Sequence, residues 1–347
     1  MNRNRLLALA ACVFVSCAIP TAFAQEKVLN LYSARHYASD QQLYDAFTKQ
    51  TGIRIQRIEA GDEALLERLR NEGANSPADV VLLADAARLW KAQVEGLFQP
   101  VKSAALEKRI PENLRGKDDG AGSEWFGFSM RARMIVYNKA HVNPALVQNY
   151  EDLARPELKG KVCTRSGAHP YMLSLIGAVS EHDGKQKAEE WAARVVSNFA
   201  RKPRGGDTDQ IRAVASGECG VALTNSYYLA RLMRSDKPED RDAVAKIGAV
   251  WPNQSGYGTH VNVSGAGVAK HAPHRADAVR FLEYLASDEA QRHFVDANNE
   301  WPVVASVNET NPALEALGEF KADKLPVASI GRAQVTATTI IDRVGWR

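Results

Sequence analysis

Enzyme signatures are scarce in this chain. It carries no P-loop, no G-x-G-x-x-G, no G-x-S-x-G elbow and no H-E-x-x-H. Nucleotide-cradling, nucleophile-elbow and zincin chemistry therefore have no local support, and the expectation is a protein that is not an enzyme. Cysteine is also sparse. Of four in all, Cys12 and Cys17 fall within the first 24 residues, which leaves Cys163 and Cys219. Two thiols exclude a four-thiolate zinc site. An excess of one charge sign is missing too. With Arg3 and Arg5 set aside, 42 basic side chains face 41 acidic ones. A near-neutral surface argues against nucleic acid as a partner. Past the first 24 residues, no apolar run reaches the roughly 20 residues a spanning helix needs.

What is present begins with a leader. Arg3 and Arg5 give a basic start, Leu6 to Ile19 is mostly apolar, and Ala22-Phe23-Ala24 precedes Gln25 as a small-x-small cleavage site. This reads as a secretory signal peptide over 1–24, and it predicts a periplasmic protein. The alternative is a lipobox at Phe14-Val15-Ser16-Cys17, which would leave the chain lipid-anchored at Cys17. In an exported chain, Cys163 and Cys219 suggest one disulfide, with two separately buried thiols as the alternative.

The remaining 323 or so residues exceed what one hydrophobic core usually spans, so two domains are expected. "KVLNLYS" reads as a buried strand, "ASDQQLYDAFTKQTG" as a helix capped by Ser39 or Asp40 and stopped by Gly52. "IRIQRIEA" alternates as a strand, "DEALLERLRNEG" is a helix, and "ADVVLLAD" is a strand covered on both faces. Strand, helix, strand, helix, strand is the doubly wound α/β pattern. "EWFGFSMRARMIVYNK" is extended. "KGKVCTRSG", "PYMLSLIGAVSEH" and "QKAEEWAARVVSNF" open a second strand-then-helix series, and "GECGVALTNSYYLARLMR" is strand, turn, helix. A Gly-rich β-like stretch follows, then a helix pair and an extended close at "EWPVVASV". The organisation predicts two lobes, 27–128 plus 251–302 and 129–250 plus 303–347, joined by crossovers near 125–137 and 248–265. A ligand would sit in the cleft between them, beyond the carboxyl ends of strands.

Tyrosine carries the chemistry. Cys163 lies eight residues before Tyr171, and Cys219 eight before Tyr227. If the cysteines are bonded and their strands run parallel, Tyr171, Tyr227 and Tyr228 emerge from neighbouring carboxyl ends. Phenols with a pKa near 10 do not ionise unaided at neutral pH. A trivalent cation changes this by displacing their protons, and hard anionic oxygen suits Fe(III) better than Zn(II) or Cu(I). An isolated tyrosine pair more often packs. From the other lobe, His36 and Tyr37 follow the first strand and can complete the coordination sphere on closure. Arg131 and Arg133 share a strand face and can hold an anion such as carbonate beside the metal. Ser166, in "TRSG" before a helix, offers a weaker anion site.

These residues resemble a periplasmic ferric-iron-binding protein of the tyrosine-rich type, the substrate-binding component of an iron(III) ABC importer. The resemblance covers nearly all of 27–347. It rests on "NLYSARHY", "WFGFSMRARMIVYNK", "ELKGKVCTRSG" with the tyrosine after it, "GGDTDQIRAVASGECGVALTNSYYLAR" and "SDEAQRHFVDANNEWPVV" taken together. It implies the two-lobed type II periplasmic-binding fold, each lobe a mixed sheet flanked by helices, with two crossing hinge strands. It implies Fe(III) ligation by Tyr37, Tyr171, Tyr227 and Tyr228, with His36 as a fifth ligand. It further implies an inner-membrane ABC permease as partner to a monomeric carrier. Some members use a histidine, a glutamate and two tyrosines instead, and Glu63 is not expected as a ligand here. "GAHPYM" departs from the pattern and leaves His169 a remote ligand candidate. The rival reading is a carrier for a small organic or oxyanion ligand, such as a polyamine or phosphonate.

Overall fold

The computed structural model describes residues 27–308 and 311–347. The expected signal peptide, with Cys17, lies outside the described residues. Ten strands are found among them: β1 Lys27–Ser33, β2 Ile53–Glu59, β3 Val80–Leu83, β4 Phe98–Gln99, β5 Phe126–Asn138, β6 Val162–Cys163, β7 Val221–Asn225, β8 Ile247–Val250, β9 Val261–Ala269 and β10 Trp301–Pro302. The helices are α1 Asp40–Thr51, α2 Asp62–Glu72, α3 Ala86–Val94, α4 Ala104–Arg109, α5 Pro170–Asp183, α6 Lys185–Ser197 and α7 Asp207–Ser216. They continue with α8 Ser226–Met233, α9 Pro238–Lys246, α10 Arg275–Leu285, α11 Asp288–Asn298, α12 Pro312–Leu317, α13 Val327–Arg332 and α14 Gln334–Val344.

The main path of the sheet runs β2-β1-β3-β9-β5-β7-β6. β1 pairs in parallel with β2 and β3, as the opening strand–helix alternation predicts. β5 is shared by two halves. Phe126 to Ala132 pairs with β9, and Arg133 to Tyr137 pairs with β7. A strand 13 residues long outreaches either lobe alone, so it passes from one into the other. The chain crosses again between β8 and β9, where Arg133 N–H donates to His260 O at 2.9 Å. Two α/β lobes joined by two crossing strands result, as the resemblance implies.

Each lobe has its own core. Leu29, Leu31, Phe47, Val80, Phe126 and Phe281 belong to the first. Ile135, Tyr150, Ile176, Trp191 and Trp346 belong to the second, and its opposite face packs Met134, Ile211 and Leu229. The segment after residue 303, expected in the second lobe, divides between the two. Val303, Val304, Val327 and Ile330 lie in the first core, and Ala337, Ile340 and Trp346 in the second. The contact that draws α13 onto α3 needs Gly331, because a Cβ there would meet the Trp90 side chain at 2.4 Å. The extended close expected at "EWPVVASV" contains β10, and α12, α13 and α14 follow it in a stretch where the sequence reading assigns no element. "QVTATTIIDRV" is rich in β-branched residues of modest helix propensity, and packing on α5 and α6 overrides that preference.

Local signals read from sequence mostly hold. Gly52 ends α1 in the left-handed region at φ 70°, with its N–H on Thr48 O. The cap of α1 differs. Neither Ser39 nor Asp40 caps it through its side chain. Ser39 Oγ donates instead to Asn298 Oδ1, and Asp40 is taken by Arg35.

Cys163 and Cys219 form a disulfide, their Cα atoms 5.8 Å apart and 56 residues distant in sequence. β6 and β7 are parallel neighbours, with Cys163 opposite Ala222. Cys219 therefore lies before its strand and not within it. Loop closure of this length contributes about 4 kcal/mol on the chain-entropy account. Replacing both cysteines with serine is expected to lower the urea-unfolding free energy of the second lobe by about that amount. Adding reductant to the wild type should give the same loss.

Candidate metal centre

Tyr171 and Tyr227 occupy equivalent places in the fold. Each is the second residue of a helix that follows one of the parallel strands β6 and β7. Pro170 at the first position of α5 has no N–H to lose and is pre-set for helical φ. The two hydroxyls meet at 3.0 Å. Tyr228 follows directly, its ring 4.3 Å from that of Tyr227.

The first lobe supplies the facing wall. β1 ends at Ser33, and the loop after it carries Arg35, His36 and Tyr37. All four candidate phenols, Tyr37, Tyr171, Tyr227 and Tyr228, line one cavity of about 200 Å³ with Arg35, His36, Arg131, Arg231, Ser264 and Glu300. His36 is exposed at its edge. Among the described residues, no group of three or more His, Cys, Asp or Glu is arranged to hold a metal. Any ion taken here would meet phenolic oxygen first.

The electrostatics are those of protonated phenols held ready. Burial, then Glu300, raises the Tyr37 hydroxyl far above its ordinary range. Burial pushes Tyr171 up to about 12 against the pull of Arg131. Burial and neighbouring Tyr171 raise Tyr227 further. At neutral pH these three keep their protons until a cation displaces them.

The two arginines on one strand face separate in role. Arg131 and Arg133 both approach the Tyr171 ring, at 5.5 and 6.0 Å. Arg131 lines the cavity, where it donates to Ala84 O and, at 3.2 Å, to Ser264 Oγ. Arg133 is instead engaged by Asp207 at 2.5 Å and lines a smaller void behind Tyr171. Ser166 lies outside the cavity lining. Its turn folds back, with His169 N–H on Ser166 O at 3.1 Å, and its Oγ accepts from Ala168 N–H. His169 caps α5, its Nδ1 accepting from Tyr171 N–H at 3.2 Å. Burial and then Arg165 hold its imidazole down to about 3. Glu63 is paired with Arg88 and Lys91 on the surface, away from the phenols.

Sequence reasoning missed Glu300 and Arg35. Glu300 is buried and accepts from Arg35 Nη1 at 2.9 Å, from Ser129 Oγ at 2.6 Å, and from Tyr37 at 3.5 Å. Arg35 in turn pairs with Asp40 at 2.9 Å. The available signal was an acid set among "NNEWPVV", next to a left-handed Asn299. Replacing Glu300 with Gln leaves a buried guanidinium short of a carboxylate, and is expected to cost about 3 kcal/mol of stability in a urea melt.

The chain is similar to known proteins along nearly all its length. Residues 42–323 match the model of a family described as bacterial extracellular solute-binding protein. Iron uptake protein A1 of Synechocystis is 47% identical, over 93% of this chain and 88% of that protein. The Trichodesmium protein IdiA (FutA), solved in complex with iron and citrate ligands, is 51% identical with a TM-score of 0.88, over 92% of this chain and 100% of that one. A ferric binding protein from Campylobacter jejuni is 40% identical with a TM-score of 0.85, over 92% and 100%.

Proposed function

The chain belongs to the bacterial extracellular solute-binding protein family, and from that membership and the phenol-lined cavity we propose that it carries one Fe(III) across the periplasm to an ABC importer permease. The observation that carries this reading is the convergence of Tyr37, Tyr171, Tyr227 and Tyr228 on one cavity from both lobes. The kinship with proteins named for iron uptake and ferric binding supports it.

In this reading the ion meets the second lobe first, where Tyr171, Tyr227 and Tyr228 already stand together. Tyr37, with His36 beside it, joins as the lobes close. Closure is a hinge motion about β5 and the β8–β9 crossover. The ion drives it by binding the closed state more tightly than the open one. Each phenol that ligates gives up its proton, so iron capture and proton release are one event. Four phenolates around a 3+ ion leave one negative charge, and the Arg131 guanidinium at the cavity wall answers it.

The cavity exceeds what an ion fills. About 200 Å³ equals the liquid volume of roughly six or seven waters. A small carboxylate or carbonate fits beside the metal, in line with the iron and citrate of the Trichodesmium relative. The carrier acts without turnover, as a monomer exported by the 1–24 leader, and its partner is the inner-membrane permease.

Ferric citrate added to the purified protein is expected to give a red or orange phenolate-to-iron band that dithionite bleaches. Changing both Tyr227 and Tyr228 to Phe should abolish it. Retention of the full band, or a colourless wild type, would overturn the assignment. The Tyr37, Tyr171 and Tyr227 pKa values are raised, so protons must leave on binding and affinity must rise with pH. Competition against a fixed chelator between pH 6 and 8, corrected for the chelator's own protonation, should show more than about tenfold change per pH unit, because more than one proton is released.

A further inference from the structure

We propose that Asp207 is the positioning residue of the second-lobe phenols, a single carboxylate that fixes Tyr171 and Tyr227 against each other and against the hinge strand. The proposal rests on the ferric reading above. Asp207 opens α7 and is fully buried. Its two oxygens reach three separate segments. Oδ2 accepts from Asn225 N–H at 2.7 Å, at the last residue of β7, which immediately precedes α8 and lies two positions before Tyr227. Oδ2 also accepts from Arg133 Nη1 at 2.5 Å, on the strand both lobes share. Oδ1 accepts from Arg165 Nη1 at 3.2 Å, in the loop that leads into α5 and Tyr171.

The guanidinium ends extend the clamp to the ligands. Arg133 donates to Asn225 Oδ1 at 3.1 Å and to Leu223 O at 3.3 Å, both in β7 ahead of Tyr227. Its other nitrogen lies 3.3 Å from Met172 Sδ, next to Tyr171 in sequence. Arg165 stacks over the Tyr171 ring at 5.0 Å. The loop 164–169 is held on one side by Trp346, through Thr164 Oγ1 and Gly167 N–H, and on the other Arg165 links it to Asp207 on α7, whose carboxylate also holds Asn225 ahead of α8. Beyond the β6–β7 pairing and the disulfide, Asp207 thus links the two helix starts directly to one another. The 3.0 Å contact between the Tyr171 and Tyr227 hydroxyls depends on that relation.

Two roles for this carboxylate make opposite forecasts. If Asp207 acted merely as a negative charge near Tyr171, removing it would leave Arg133 and Arg165 uncompensated. That would favour phenolate and tighten iron binding. If it positions, removal lets Arg165 swing to water and the two phenols part, and binding weakens.

The test uses the whole mature chain with ferric citrate as probe, following affinity, the charge-transfer band, the iron EPR spectrum and the urea midpoint. Asp207→Asn is expected to bind about ten to a hundred times more weakly, the usual range for residues that orient metal ligands. Its band should move and weaken and its EPR rhombicity should change. Asp207→Glu should recover part of both. Where Asp207→Asn gives no cooperative unfolding transition, Arg165→Gln is read in its place. It keeps the Arg133–Asp207 pair, and a several-fold loss with a shifted band is expected. A folded Asp207→Asn or Arg165→Gln with wild-type affinity and spectrum overturns the proposal, as does tighter binding. A wild type that takes up no iron refutes the ferric reading itself, and the proposal falls with it.

Discussion

A hydroxyl-to-hydroxyl contact of 3.0 Å between Tyr171 and Tyr227 sets the conditions for the rest of the cleft. Two phenols so close, Tyr227 buried and Tyr171 largely so, oppose carrying two negative charges at once. Burial raises both above the ordinary tyrosine range, and the charge that Tyr171 would carry raises Tyr227 further. The same closeness makes them a preassembled pair of hard donors once a small cation takes their protons. A site of this kind is inert toward ions that cannot displace a proton from phenol. Selectivity for a highly charged cation therefore follows from the protonation cost, before any question of size.

That contact was partly legible in the sequence, and the way it was legible is instructive. The eight-residue interval from cysteine to tyrosine occurs twice, and it led to the two phenols that the fold brings into contact. The structural content of the two intervals differs, however. From Cys163 the chain runs through a six-residue loop before α5, because β6 ends at the cysteine itself. From Cys219 it runs through Gly220 and the five residues of β7, and α8 begins at once. Loop length in one arm substitutes for strand length in the other. Periodicity and turn residues located the strands and helices of both lobes well, since apolar runs and glycine stops are local signals. The last three helices were not legible, because their apolar faces are divided between two cores that sequence alone does not reveal.

Buried charge was the other blind spot. Arg35, Asp40, Glu300, Arg133 and Asp207 are all shielded from water, yet nothing in the sequence marks any of them as half of a buried ion pair. Their partners lie far along the chain, 265 residues in the case of Arg35 and Glu300. Burying a charge is costly unless it is paired and hydrogen-bonded, and here every one of the five is. Arg35 lies in the loop that presents Tyr37, while Arg133 on β5 and Asp207 on α7 contact the segments that lead into α5 and α8. On the first lobe, Arg35 and Glu300 hold Tyr37, with the guanidinium 4.7 Å from its ring. On the second, Asp207 and Arg133 hold α5 and α8. Both lobes thus use the same device, an arginine–carboxylate pair behind a phenol.

The placement of these pairs bears on how closure can be coupled to the ion. Glu300 directly precedes β10, which pairs with the front of β5, and Ser129 on β5 donates to the same carboxylate. Arg133, four residues further along β5, belongs to the second pair. One strand therefore carries a contact to each phenol-bearing body, on either side of the point where it passes from one lobe to the other. Rotation about that point moves Tyr37 relative to Tyr171 while leaving each phenol fixed to its own clamp. In the ferric reading proposed above, the ion would then experience two rigid donor sets and one variable distance between them. Under that constraint it would gain the Tyr37 oxygen in the closed state alone, and this differential contact is what a hinge needs to be driven by its ligand.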